Sequence, residues 1–261
     1  MGSLAKSLNS SIGQKVTMSL TGLFLCIFLV IHLTGNFQLF KNDNGLAFNE
    51  YAVFMTTFPP ITFISYGLYA MILYHAFKGL ALAYNNQKAR PVKYAYNNPS
   101  KNSHWTSRNM GVLGTILLVF IAAHMSNFWF EYKFGFTPYA KYEINTSNNQ
   151  LISFSEYGKE LEVKKQEFTV GESTKVVIIK DLYKEVSEDF KVWWIALFYV
   201  VSMGAVAFHL YHGFQSAFQT LGINHNRYIT AIRFVGLWVF SIIIPIGFAA
   251  MPIYFYAKQF I

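Results

Sequence analysis

Cysteine is almost missing from this 261-residue chain, which contains only Cys26. One cysteine cannot form an intrachain disulfide. The same scarcity excludes Cys-x-x-Cys-His attachment of a c-type haem and a cysteine-ligated iron–sulfur cluster. Charge is also scarce. Charged residues make up 13% of the chain against 53% apolar and 18% aromatic, and the mean hydropathy is positive. That balance excludes an ordinary soluble domain and matches an integral membrane protein. Internal repeats and low-complexity tracts are not seen, which argues against the inverted-repeat transporters. Acidic side chains are missing from the N-terminus and from the linkers at 85–107 and 221–228.

What the chain does have is length of apolar run. A helix crossing a hydrocarbon core of ~30 Å needs about 20 apolar residues. Five stretches qualify: 13–40, 61–84, 108–130, 192–220 and 229–257. They predict an all-α membrane protein, a single five-helix bundle over 1–261. Cys26 lies in the first run and reads as a small packing residue. That run is too long for a signal-peptide core and lacks a small-residue cleavage site, so it reads as a retained helix. Residues 41–60 read as a short connection closed by Pro59-Pro60, and Phe128-Trp129-Phe130 as an interfacial aromatic cluster. Residues 131–191 are charged and Asn-rich, a polar insertion outside the membrane. Within it Phe168–Val170 and Lys175–Lys180 flank Gly171 and predict a small hairpin.

Charge placement predicts orientation. All thirteen acidic residues fall between Asp43 and Asp189, in two of the connections and their margins. The basic linker carries Lys88, Arg90, Lys93, Lys101 and Arg108 with no acid. Basic short loops stay inside. The N-terminus is therefore expected in the cytoplasm of a bacterial cell, with the insertion and the C-terminus outside the inner membrane.

Four of the five runs hold one deep histidine each: His32, His75, His124 and His209. Ionisable residues within spans are rare and usually functional. Alternating helix direction puts His32 and His124 in the outer half and His75 and His209 in the inner half, at depths ~10–15 Å apart for a rise of about 1.5 Å per residue. Neutral imidazole binds haem iron, and two imidazoles fill both axial positions, which makes an electron carrier. One such histidine could equally be a hydrogen-bonded packing residue. Four of them, sorted into two depth pairs, point to two b haems. His212 lies three residues after His209 near the same face and competes with it, whereas His104 and His225 read as solvated. Gly22, Gly35, Gly79, Gly114, Gly204 and Gly213 are small enough to let a porphyrin approach.

On these residues the chain resembles the dihaem cytochrome b membrane anchor of succinate dehydrogenases and quinol:fumarate reductases, the five-helix single-anchor type. Thr21-Gly22-Leu23-Phe24-Leu25 with His32, Tyr74-His75-Ala76-Phe77, Gly114 ten residues before His124, and Phe208-His209 with Gly213 and Gly222 are similar to that family's four ligand helices. The register favours His209 over His212, and the likeness covers all five helices. The insertion at 131–191 departs from it. The resemblance implies a flavoprotein subunit bearing FAD and an iron–sulfur subunit, both docked on the basic inner face. It also implies transfer through an inner haem (His75/His209) and an outer haem (His32/His124) to a quinone, menaquinone in particular. No nucleic-acid partner is expected, and pairing of complexes into dimers is compatible with it.

Three further positions are candidates. Haem propionates in a membrane need partners, and by depth Arg108 and Ser19 are the nearest to the inner haem. Ser19 also matches a family serine; the bland alternative for Arg108 is an interfacial side chain reaching for water. Quinone chemistry moves protons, and Glu50, in Phe48-Asn49-Glu50-Tyr51, is the outer carboxylate placed for that, against the alternative of a solvated loop acid. Competing functions are the cytochrome b subunit of a membrane hydrogenase or formate dehydrogenase, and a transporter with histidines lining a polar path.

Overall fold

The structure, a computed structural model, describes residues 3–89, 91–92 and 98–261; Arg90 and Lys93 of the basic linker lie outside the described residues. Five helical segments are long and apolar enough to cross a membrane: Ser11–Phe40, Pro59–Lys88, Met110–Phe134, Trp193–Thr220 and Asn226–Lys258. They mark the chain as a membrane protein. Large apolar side chains such as Phe63, Phe77, Val201 and Ile246 are exposed on them, as lipid-facing positions would be.

The first span holds α1 (Ser11–Asn36) and ends in a 3₁₀ turn at Phe37–Phe40. Then come α2 (Leu46–Thr57), α3 (Pro59–Lys88) and α4 (Met110–His124). α5 (Leu182–Lys191) precedes α6 (Trp193–Thr220), and the fifth span combines α7 (Asn226–Phe234) with α8 (Ile244–Lys258). Proline opens α3, where its missing N–H would have had no helical partner. Two widened, π-helical stretches interrupt the spans, Met125–Phe130 directly after α4 and Val235–Ile243 between α7 and α8. In the second of these Ser241 Oγ donates to the Gly236 carbonyl at 2.6 Å, at the five-residue separation of a π turn.

The chain gathers into two compact units. The first contains Met1–Ile31, Tyr66–Ile121 and Phe198–Ala250; the second contains His32–Ser65, Ala122–Leu197 and Met251–Ile261. In the first unit Phe214 stacks on Phe240 with centroids 4.5 Å apart, and Leu113, Met203 and Leu210 are buried.

The second unit corrects the all-α expectation. It contains a four-stranded antiparallel sheet in the order β2-β1-β4-β3, from β1 (Tyr139–Asn145), β2 (Leu151–Tyr157), β3 (Lys165–Val170) and β4 (Thr174–Lys180). The predicted hairpin is β3–β4, turning at Gly171 with φ +65°. The other two strands form because β1 alternates. Its Ala140 and Tyr142 join Val177, Ile179 and Val53 in one buried layer. Tyr139, Val176 and Ile178 form a second layer covered by Tyr157 and Leu161. The expected connection at 41–60 is itself largely the helix α2, whose Phe48, Ala52 and Val53 are buried. Asp43 starts it by accepting from the Gly45 and Ala47 N–H groups at 3.0 Å each.

A buried polar knot joins α2 to the sheet and to α5. Asn49 donates through Nδ2 to Asp181 Oδ1 at 2.7 Å and accepts from the Tyr183 N–H at 2.9 Å. Tyr142 donates to the Asn44 carbonyl at 2.9 Å. Asp181 also accepts from the Lys184 N–H at 3.1 Å and so caps α5. Burial pushes the Asp181 carboxyl above its ordinary value, with Asn49 and the Lys184 N–H pulling the other way.

Candidate metal centres

Each unit contains one pair of facing histidines from two different helices. In the first unit His75 of α3 meets His209 of α6, with ring centroids 6.3 Å apart and planes at 67°. In the second His32 of α1 meets His124 of α4, with centroids 5.8 Å apart and planes at 85°. These are the two pairings expected from the sequence. It is His209, and not His212, whose ring meets His75.

Hydrogen bonding decides which nitrogen of His75 is available. Thr21 Oγ1 donates its single proton to a backbone carbonyl of its own helix, Thr17 at 2.9 Å or Met18 at 3.1 Å. It also lies 3.0 Å from His75 Nδ1. In the arrangement where the hydroxyl proton goes to the helix carbonyl, Nδ1 is the donor to Thr21 Oγ1 and Nε2 keeps its lone pair. At His32 the Asn36 amide nitrogen, a donor only, lies 3.3 Å from Nε2, so in this arrangement it engages the lone pair that a metal would have to take from it. His209 Nδ1 is buried with no hydrogen-bond partner among the described residues.

The spacing suits two imidazoles sharing a metal. A metal–nitrogen distance of about 2 Å on each side, with about 1.1 Å from nitrogen to ring centroid, puts the centroids about 6 Å apart. Both observed separations lie close to that value. The glycines divide into three kinds. A Cβ on Gly22 would meet His75 Cε1 at 3.3 Å and one on Gly114 would meet His209 Cε1 at 3.9 Å, so these two make room for the imidazoles themselves. Gly204 and Gly213 face open space, and Gly213 lies one turn beyond His209 on the same helix face. Gly35 is different, because a Cβ there would collide with the Tyr51 ring. Its small size accommodates α2, not a flat ligand.

The remaining candidates are not drawn onto either pair. Ser19 is buried and donates to the Lys15 carbonyl at 2.9 Å. Arg108 is exposed and donates to the carbonyls of Pro99, at 2.8 Å, and Ser103. His212 lies between Tyr211 and Gly213 on α6. Glu50 is ion-paired with Lys165 of β3 at 2.8 Å, while the next residue, Tyr51, takes the position against α1. Lys165 also pairs with Glu167 at 2.5 Å, and Glu167 with Lys175 at 2.9 Å, so Glu50 ends a chain of alternating charges along the sheet edge.

No family model matches this chain, and no curated protein or solved structure matches it. A functional reading rests instead on the two facing pairs and on what holds them. Thr21 of α1 reaches His75 Nδ1 of α3 across the helices, and Asn36 lies one turn from His32 and contacts its Nε2. Nothing in the sequence pattern links Thr21 to His75 by a hydrogen bond or singles out Asn36.

Proposed function

We propose that the chain is the dihaem cytochrome b membrane subunit of a succinate:quinone oxidoreductase, in which each facing histidine pair ligates one b haem. The observation that supports this most is the pairing itself, two imidazoles at 6.3 Å and two at 5.8 Å on four separate helices. Each pair offers two ligands, the number a haem iron takes from protein when the porphyrin supplies four. When bound, such a haem supplies reversible one-electron transfer at an iron with no open coordination position. His75, held as its Nδ1–H tautomer by Thr21, presents Nε2 to the metal. Gly213 leaves space beside His209 for a flat macrocycle.

In this reading electrons move between an iron–sulfur partner subunit, itself served by a flavoprotein subunit, and a quinone, menaquinone by the family resemblance. The acid-free linkers lie in the bacterial cytoplasm, where the soluble subunits dock, and the sheet and the C-terminus lie outside. Glu50 is the carboxylate assigned to proton exchange with quinone, with Lys165 as its counter-ion. Arg108 and Ser19 are assigned to the propionates of the haem between His75 and His209.

The test is haem stoichiometry together with partner identity. The purified complex should contain two b haems per copy of this chain and co-purify with a flavoprotein and an iron–sulfur protein. It should reduce a menaquinone analogue with succinate. A colourless protein, or a red one without those partners, would overturn the assignment. Glu50→Gln should abolish quinone reduction while succinate still reduces an artificial dye; retained quinone activity would move that site elsewhere.

A further inference from the structure

The first unit contains ten Lys and Arg residues and not one Asp or Glu. Its cations therefore have no carboxylate within their own unit. Three of them are concentrated around two adjoining cavities that share His104. One, of about 480 Å³, is lined by residues of 100–108 including Lys101 and Arg108. The other, of about 400 Å³, lies between His104, Tyr211, Gln215, Arg233 and Leu237. Every polar group named here can donate a hydrogen bond, and Arg233 is exposed with no hydrogen-bond or ion-pair partner among the described residues.

The location narrows the ligand. Arg108 immediately precedes the span Met110–Phe134, Gln215 lies in the last turns of Trp193–Thr220, and Arg233 lies early in Asn226–Lys258. Polar donors and cations thus occupy span ends, with Leu237 and Trp105 supplying apolar wall beside them. A free anion needs only the donors. A phospholipid needs donors at the membrane edge next to apolar surface, and basic pockets between spans bind anionic headgroups in this way.

We propose that the two cavities form a binding site for the phosphate of an anionic phospholipid, with Arg233, Arg108 and Lys101 supplying charge and His104, Tyr211 and Gln215 supplying hydrogen bonds. The site shares Arg108 with the proposed propionate partners, and Arg233, which has no such assignment, separates the two readings in the test.

The test uses the full chain with its native complement of cofactors and partners, delipidated in mild detergent. Native mass spectrometry then reads the binding of added phosphatidylglycerol and phosphatidylcholine. The expected result is a preference of about tenfold or more for phosphatidylglycerol, lost in Arg233→Gln and in Arg108→Gln but kept in Lys6→Gln, a charge change away from the cavities. Equal uptake of the two lipids, or unchanged preference in both arginine variants, would overturn the proposal. So would displacement of phosphatidylglycerol by millimolar inorganic phosphate, which would make this a free-phosphate site. Loss of haem alongside lipid in Arg233→Gln would assign the cavities to a propionate. Release of an acidic soluble partner in that variant, with lipid binding intact, would assign them to protein docking.

Discussion

The two units balance charge in opposite ways. The first has ten basic residues and no acidic ones, a formal +10; the second has eleven basic against thirteen acidic, a formal −2, which together give the chain's +8. All six ion pairs among the described residues lie in the second unit. There, sheet, helix caps and charge chains satisfy one another. In the first, helix packing does the folding and the cations have no carboxylate within the unit. The histidine pairs cut across this difference, since each unit has one. The same facing arrangement of two imidazoles is thus held by two dissimilar kinds of support.

That contrast can be broken selectively. The largest effect should come from Ile179→Ala, which empties part of the fully buried layer under the sheet and should cost about 2–5 kcal/mol. Hydrogen exchange should speed up in β1 and β4, while the absorbance of the haem proposed between His75 and His209 stays intact. Asn49→Ala strands buried polar groups on Asp181 and the Tyr183 N–H, at about 1–3 kcal/mol, with the same regional signature.

Asp181 adds a pH dependence. Its folded-state pKa is raised from 3.8 by burial, so the folded unit holds that proton more tightly than the unfolded chain. Its contribution is present at low pH and declines as pH rises through the raised value. Asp181→Asn should flatten that slope in a titration of sheet protection against pH.

Thr21→Val acts on the other unit. Removing the acceptor for His75 Nδ1–H makes the imidazole a poorer donor to metal. The midpoint potential of one haem should rise by on the order of tens of millivolts, and the other should not move. The smallest effect belongs to Lys165→Met. The Glu50–Lys165 pair is partly exposed, so its loss should cost no more than about 1 kcal/mol and less in high salt.

How much of this was legible in the sequence follows from the physics of each feature. The histidine pairings were readable because a span has a direction and a rise per residue, which converts position into depth. The spans agree with expectation to within a few residues, since apolar length alone sets them. The sheet was half hidden. Lys141 and Glu143 in β1 and Ser153 and Ser155 in β2 occupy alternate positions, and the stretch reads as a charged loop until both faces are found covered. The Glu50–Lys165 pair joins positions 115 apart, and no local pattern announces it. Thr21 meets His75 Nδ1 across 54 positions of chain, a detail of side-chain placement with no sequence signature.

The central claim is that each pair holds one haem, and electron paramagnetic resonance of the oxidised protein tests it most directly. Imidazole planes at 67° and 85° are close to perpendicular, an arrangement that leaves the iron orbitals nearly degenerate and gives highly anisotropic low-spin ferric signals. Two such signals are expected from the unmodified chain, one lost in His75→Ala and in His209→Ala, the other in His32→Ala and in His124→Ala. A chain without low-spin ferric signals would contradict the claim, as would a His209→Ala variant that keeps both signals while His212→Ala loses one.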